Sequence, residues 1–210
     1  MKKINAFLPL TLLLLFASNL IDAQPIPVEF MMGNKYGSIN ITFTRKFSPE
    51  SRFGVFHLNS LEFDYDEEYK NSIILKDLLF VETVKNLKLA GGGIYTNGGL
   101  SAQAGLIYSL KTDNFLVLCN PGITVENDPV YDIMTIFQFT PKINDQLHLH
   151  ARAQFLNVFN SEMNLKSYQR MRLGVENKGW CYGLAFNLDE NGPNPSAETN
   201  FGVFVQKNIF

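Results

Sequence analysis

Apolar and polar residues alternate over most of this chain, and a period of two commits it to β-strands. In 100–111, Leu100, Ala102, Ala104, Leu106, Tyr108 and Leu110 fall on one face. Ser101, Gln103, Gly105, Ile107, Ser109 and Lys111 fall on the other. Successive side chains of a strand point to opposite sides, so such a segment is apolar on one face and mostly polar on the other. The pattern recurs in 38–46, 131–140, 147–154, 180–188 and 200–209. In 147–154, for example, Leu147, Leu149, Ala151 and Ala153 oppose His148, His150, Arg152 and Gln154. The stretch 72–84, SIILKDLLFVETV, lacks clean alternation and is compatible with a helix; we read it as a strand.

Turn chemistry divides the runs. SPES, TDN, PKIND and NKG are short polar breaks, whereas DYDEEYKN, ENDP, NSEMN and DENGPNPSAE are mostly longer and richer in acid, Asn or Pro. Their spacing predicts an all-β, up-and-down antiparallel sheet. Strands are expected at 26–32, 36–47, 52–65, 72–84, 87–97, 100–111, 114–125, 130–140, 145–157, 165–176, 179–188 and 199–210. That makes twelve, with ten as the alternative.

The first residues read as an address. Lys2 and Lys3 precede an apolar run over 7–17, and Ile21-Asp22-Ala23 ends on a small residue before Gln24. This is the layout of a cleaved signal peptide, expected to be removed after Ala23 on Sec export. The apolar run is shorter than the roughly 20 residues of a spanning helix. The expected mature unit, 24–210, is one domain. Without Lys2, Lys3 and Asp22 it carries 16 basic and 19 acidic side chains of the 18 and 20 in the full chain, so nucleic acid is not an expected partner. Cys119 and Cys181 are too few for a disulfide-stapled secreted fold and are read as free.

Alternation is the same in a soluble β-sandwich, apolar inside, and a membrane barrel, apolar outside. Three features favour the barrel. Runs of 11 to 13 residues exceed the usual strand of about 5–6 and suit a tilted span. Tyr131, Phe139, Phe155, Trp180 and Phe201 sit near strand ends on the apolar face, as interfacial girdles do. The polar face carries Gly, Gln, Asn, Arg and His rather than the dense Lys and Glu of a washed surface. The last residues, NFGVFVQKNIF, end on Phe210. With these features the mature chain resembles small bacterial outer-membrane β-barrels, porin-like in pattern. The resemblance implies integral outer-membrane residence among lipid and lipopolysaccharide, an even strand number, and a C-terminal strand read by the barrel-assembly machinery through Phe210. Phe204 shares the parity of Phe210; Phe201, Val203, Val205 and Ile209 have the opposite one.

Folding the last strands about their turns places Arg152 beside position 171, between Arg170 and Arg172. His148 and His150 fall below them, small Cys181 and Gly183 leave room, and Asp132 lies within diagonal reach of Arg152. Such a cluster reads as a positive constriction favouring anionic small solutes, because rings of charge set pore selectivity and the guanidinium fork suits oxyanions. It reads equally as an internal ion-pair network with Asp132, Glu62, Asp64 or Glu176 as partners.

Other motifs carry less. AGGGIYTNGG, 90–99, has no Lys-Ser/Thr or helix after it and is not a phosphate loop. DYDEE, 64–68, could meet cation-bridged lipopolysaccharide but reads as a solvated loop. No cofactor or metal spacing is present. A lipid-modifying enzyme would place His57 or His148 beside a Ser on the lipid face; Ser60 points away from His57, so catalysis is not expected. The expected function is a passive narrow channel. The alternatives are a plugged structural or interaction barrel working through its outer loops, a lipid-modifying enzyme, and a secreted β-sandwich.

Overall fold

The computed structural model describes residues 25–65, 71–192 and 196–209. The chain forms twelve strands: β1 (Ile26–Gly33), β2 (Tyr36–Lys46), β3 (Phe53–Asp64), β4 (Ser72–Val84), β5 (Leu87–Thr96), β6 (Gly99–Lys111), β7 (Phe115–Thr124), β8 (Tyr131–Phe139), β9 (His148–Phe159), β10 (Asn164–Asn177), β11 (Trp180–Asn191) and β12 (Ser196–Ile209). Each pairs antiparallel with its chain neighbours, and β1 pairs with β12, so the sheet closes on itself. The architecture is the expected up-and-down barrel of twelve strands rather than ten. The expected leader, 1–23, and Phe210 lie outside the described residues.

Tight turns keep neighbouring strands in register. Between β10 and β11, Lys178 and Gly179 have φ of 49° and 75°. Two successive positive φ values suit the twist of a two-residue hairpin, and glycine takes the second at little cost. Loop length does not separate the two ends of the barrel. Connection 140–147, at the end that carries the termini, is as long as any described connection opposite.

The outer surface is an apolar belt. Leu184 is 67% exposed and Leu79 62%, and Leu106, Ile133 and Phe186 face outward with them. Aromatic pairs cluster toward the rims: Tyr131 on Phe159 with centroids 5.6 Å apart, Phe115 on Phe139 at 4.7 Å, and Phe186 on Phe201 at 4.7 Å. Of the expected girdle residues, Tyr131, Phe139, Trp180 and Phe201 are exposed, and Phe155 packs edge-on against Phe137. The described strands close into one barrel rather than two packed sheets, and an apolar face looks out.

The interior departs from expectation on one side. Phe56, Leu58, Ile74, Leu78, Phe80, Ala90, Ile107, Leu118, Met134, Ile136, Leu156 and Tyr168 form a buried apolar cluster inside the barrel, carried mainly by β3 to β8. Ile107, aligned with polar residues in the sequence, is one of its fully buried members. The cluster also explains why 72–84 shows no alternation. Its lumen positions Ile74, Leu78 and Phe80 are as apolar as its outward positions Ile73, Leu75, Leu79 and Val81. With both faces of the wall dry, the period-two signal is lost while the strand remains.

Candidate functional site

The opposite wall, formed by β9 to β12 with β1 and β2, carries the polar interior. Arg152 on β9 stands directly across the ladder from Arg172 on β10, and Arg170 stands across from Gln154. The pairing is one residue away from that expected, because the ladder slips at a bulge between Asn164 and Lys166. The slip puts all three guanidiniums in the lumen, since directly opposed residues share a face.

Each arginine meets different partners. The Arg172 guanidinium donates to Glu29 Oε1 at 2.9 Å, to Asn187 Oδ1 at 2.8 Å and to the Met171 carbonyl at 2.9 Å. Arg170 donates to Asn40 Oδ1 at 2.6 Å, to Ser60 Oγ at 2.9 Å and to Glu62, and its guanidinium lies 4.0 Å from the centre of the Tyr168 ring. Glu62 also receives Lys166 at 3.4 Å. Arg152 donates to Gln154 Oε1 at 3.0 Å, and no ion pair of Arg152 is found among the described residues. The cluster is therefore largely neutralised. Of the acids expected as partners Glu62 serves, whereas Glu176 accepts from Asn208 at 3.3 Å.

Asp132 does not reach Arg152. It faces Lys76 on β4 and Gln103 on β6, within its own side of the barrel, and Lys76 also donates to Asn120 Oδ1 at 3.2 Å. Asp132 sits on β8, nearer the dry side, where the buried ammonium of Lys76 is its counterion. His150 is fully buried, its ring 5.8 Å from that of Phe204, with neither ring nitrogen partnered among the described residues; His148 is half-buried toward the terminal end of the barrel. Phe204 faces the lumen, with the Arg172 guanidinium 5.9 Å from its ring centre. Cys119 and Cys181 are both free, Cys181 buried and Cys119 half-buried.

These contacts leave little space among the guanidiniums near mid-height. Glu29, Arg152, Gln154, Arg170, Arg172 and Gln206 surround a void of about 10 Å³, roughly room for one water. A cup of about 700 Å³ opens at the end away from the termini, lined in part by Glu62, Lys76, Gln103, Asp132, Lys166 and Asp189. At the end with the termini a basic vestibule of about 540 Å³ includes Lys46, Arg52, Lys85, Lys88 and Lys111, with Glu82 held by Lys46. Among the described residues no group of three or more His, Cys, Asp or Glu is arranged to hold a metal ion.

Sequence reading found the arginines but missed Glu29, the carboxylate that holds Arg172, and Lys76, the counterion of Asp132. Glu29 is the one acid in its expected strand, IPVEFMM, and that isolation was the available signal. Lys76 lay in the stretch without alternation, where no face could be assigned.

No protein-family model and no curated protein sequence matches the chain. Solved structures match in fold. A NanC porin superposes with a TM-score of 0.52 at 6% identity, covering 90% of this chain and 100% of that one. A KdgM porin gives 0.50 at 10% identity, covering 89% and 99%. KdgM porin in complex with disordered oligogalacturonate gives 0.50 at 11% identity over the same shares. The shared feature is the closed antiparallel barrel. The fold is porin-like.

Proposed function

We propose that the protein is a small barrel of the bacterial outer membrane that passes small solutes through a constriction closed in the state described, with the Arg172–Glu29 pair as its latch. One observation carries this reading. A large cup and a basic vestibule open at opposite ends of one barrel, and the polar wall between them narrows to about the size of a water. Three guanidiniums there face the two carboxylates Glu29 and Glu62, so the constriction is net positive and favours small anions. The likeness in fold to porins supports the same reading.

Planar-bilayer recording tests it. The native protein is expected to show small, infrequent conductance steps. Arg172→Ala with Glu29→Ala should enlarge them, and Arg152→Ala should lower the preference for chloride over potassium. Silence from both the native protein and the double variant refutes the channel.

The apolar cluster favours a second reading, a plugged barrel that works through its exposed loops. Under that reading the double variant stays silent while the barrel remains folded, as shown by different migration of boiled and unboiled samples.

A further inference from the structure

The outer belt is interrupted where polar atoms have no use in a pore. His57 on β3 and Asp77 on β4 are directly opposed in the ladder, and both point away from the lumen, as do their ladder neighbours Phe43 and Gly93. His57 Nδ1 lies 2.7 Å from Asp77 Oδ1, and the Phe43 ring stacks on the imidazole at 5.1 Å. The side chains are 8% and 25% exposed. Nε2 of His57 and Oδ2 of Asp77 have no partner among the described residues. Neither has Oδ1 of Asn59, one position further along the same outward face.

Their height matters. Phe53 and Phe63 are the outward aromatic residues at the two ends of β3, and we take them as its rims. Ten residues at about 3.3 Å each, tilted by about 40°, span about 25 Å, the height of an apolar transmembrane band. His57 then lies about 10 Å inside the nearer rim. Water is absent at that depth, and an ionisable group there marks a function with a partner to be found.

Beside the pair the surface is bare. Gly91 and Gly93 on β5 stand opposite Ala104 and Ala102 on β6. A Cβ on Gly91 would meet nothing nearer than 3.7 Å, and one on Gly93 nothing nearer than 3.4 Å. Leu79, directly across from Gly91, projects next to this shallow trough.

We propose that this face, β3 to β6, is where a second copy of the chain docks within the membrane about a two-fold axis. The charges argue for a second copy. With a proton on Nε2 of His57, the unmet atoms are one donor and one acceptor, so the face complements itself. A two-fold contact is isologous. Nε2–H of each His57 donates to Asp77 Oδ2 of the other copy, twice over, in a network of net zero charge. Leu79 of each copy settles over the glycine trough of the other, where bare backbone allows close approach, as small residues do between membrane helices. An acyl chain would fill the trough and leave both polar atoms unmet.

The inference rests on the reading that the chain spans a membrane, which heat-dependent migration of the folded barrel tests separately. Protein is labelled at Asp145→Cys in a Cys119→Ala, Cys181→Ala background. Energy transfer between labelled copies is then followed in phosphatidylcholine vesicles at rising protein-to-lipid ratio. The native face should associate saturably. His57→Phe with Asp77→Leu, which makes the face apolar, should weaken association by about tenfold. His57→Asp with Asp77→His, which restores complementarity, should recover it to within about threefold. Transfer no greater than random proximity in the native protein overturns the proposal. So does an apolar variant that is folded by its migration and associates as tightly as the native protein.

Discussion

The two walls of the barrel interior are built from the same strand geometry and are packed by different physics. On the side of β3 to β8, Phe56, Leu58, Leu78, Ile107 and Met134 are packed out of water. On the side of β9 to β12 with β1 and β2, Glu29, Ser38, Arg170, Arg172, Asn187 and Asn200 are buried through hydrogen bonds. The dry wall gains stability from removed apolar area, which is non-directional. The wet wall gains little net stability from each bond, but leaving one of its groups unpaired is costly. Identical backbone ladders thus make one side of the barrel a filling and the other a set of matched polar contacts.

Substitutions can break or sharpen this contrast, and urea unfolding in lipid vesicles measures them. The largest loss is expected for Phe56→Ala, which empties the centre of the dry wall, at about 3–5 kcal/mol. Glu29→Ala should cost about 3 kcal/mol, because Arg172 is left buried without its counterion. A cost near zero would mean that water already enters the wet wall. Lys76→Met with Asp132→Leu removes the ion pair that intrudes on the dry wall. It should be neutral or stabilising by about 1–2 kcal/mol, whereas Lys76→Met alone destabilises. Arg152→Ala should change stability by less than about 1 kcal/mol and act mainly on ion preference, since Arg152 holds no carboxylate.

The same contrast decides what could be read from the sequence. The barrel and its twelve strands were legible because the ladder imposes a period of two wherever the faces differ. In 147–154 and 180–188 they do differ, and both segments form strands with the expected faces. On the dry wall they do not, so 72–84 carried no face assignment and Lys76 went unseen. The arginines stood out by residue type. Of their partners Glu62 was among the candidates, whereas Glu29 was not, because it lies 143 residues from Arg172 in the chain. No local pattern encodes contacts of that separation. The slip at Asn164/Lys166 was equally hidden, since a bulge leaves alternation on either side intact.

The seam between the first and last strands ties electrostatics to assembly. Gly33 and Gly202 face each other there, and a Cβ on Gly202 would come within 1.9 Å of the Met32 carbonyl oxygen, so this zipper tolerates no added bulk. Glu29 rides on that same first strand. Until the ends of the ribbon meet, Arg172 has no counter-charge to hold. Ring closure and charge quenching are one event, and an unfinished cylinder carries a bare cation that a finished one does not.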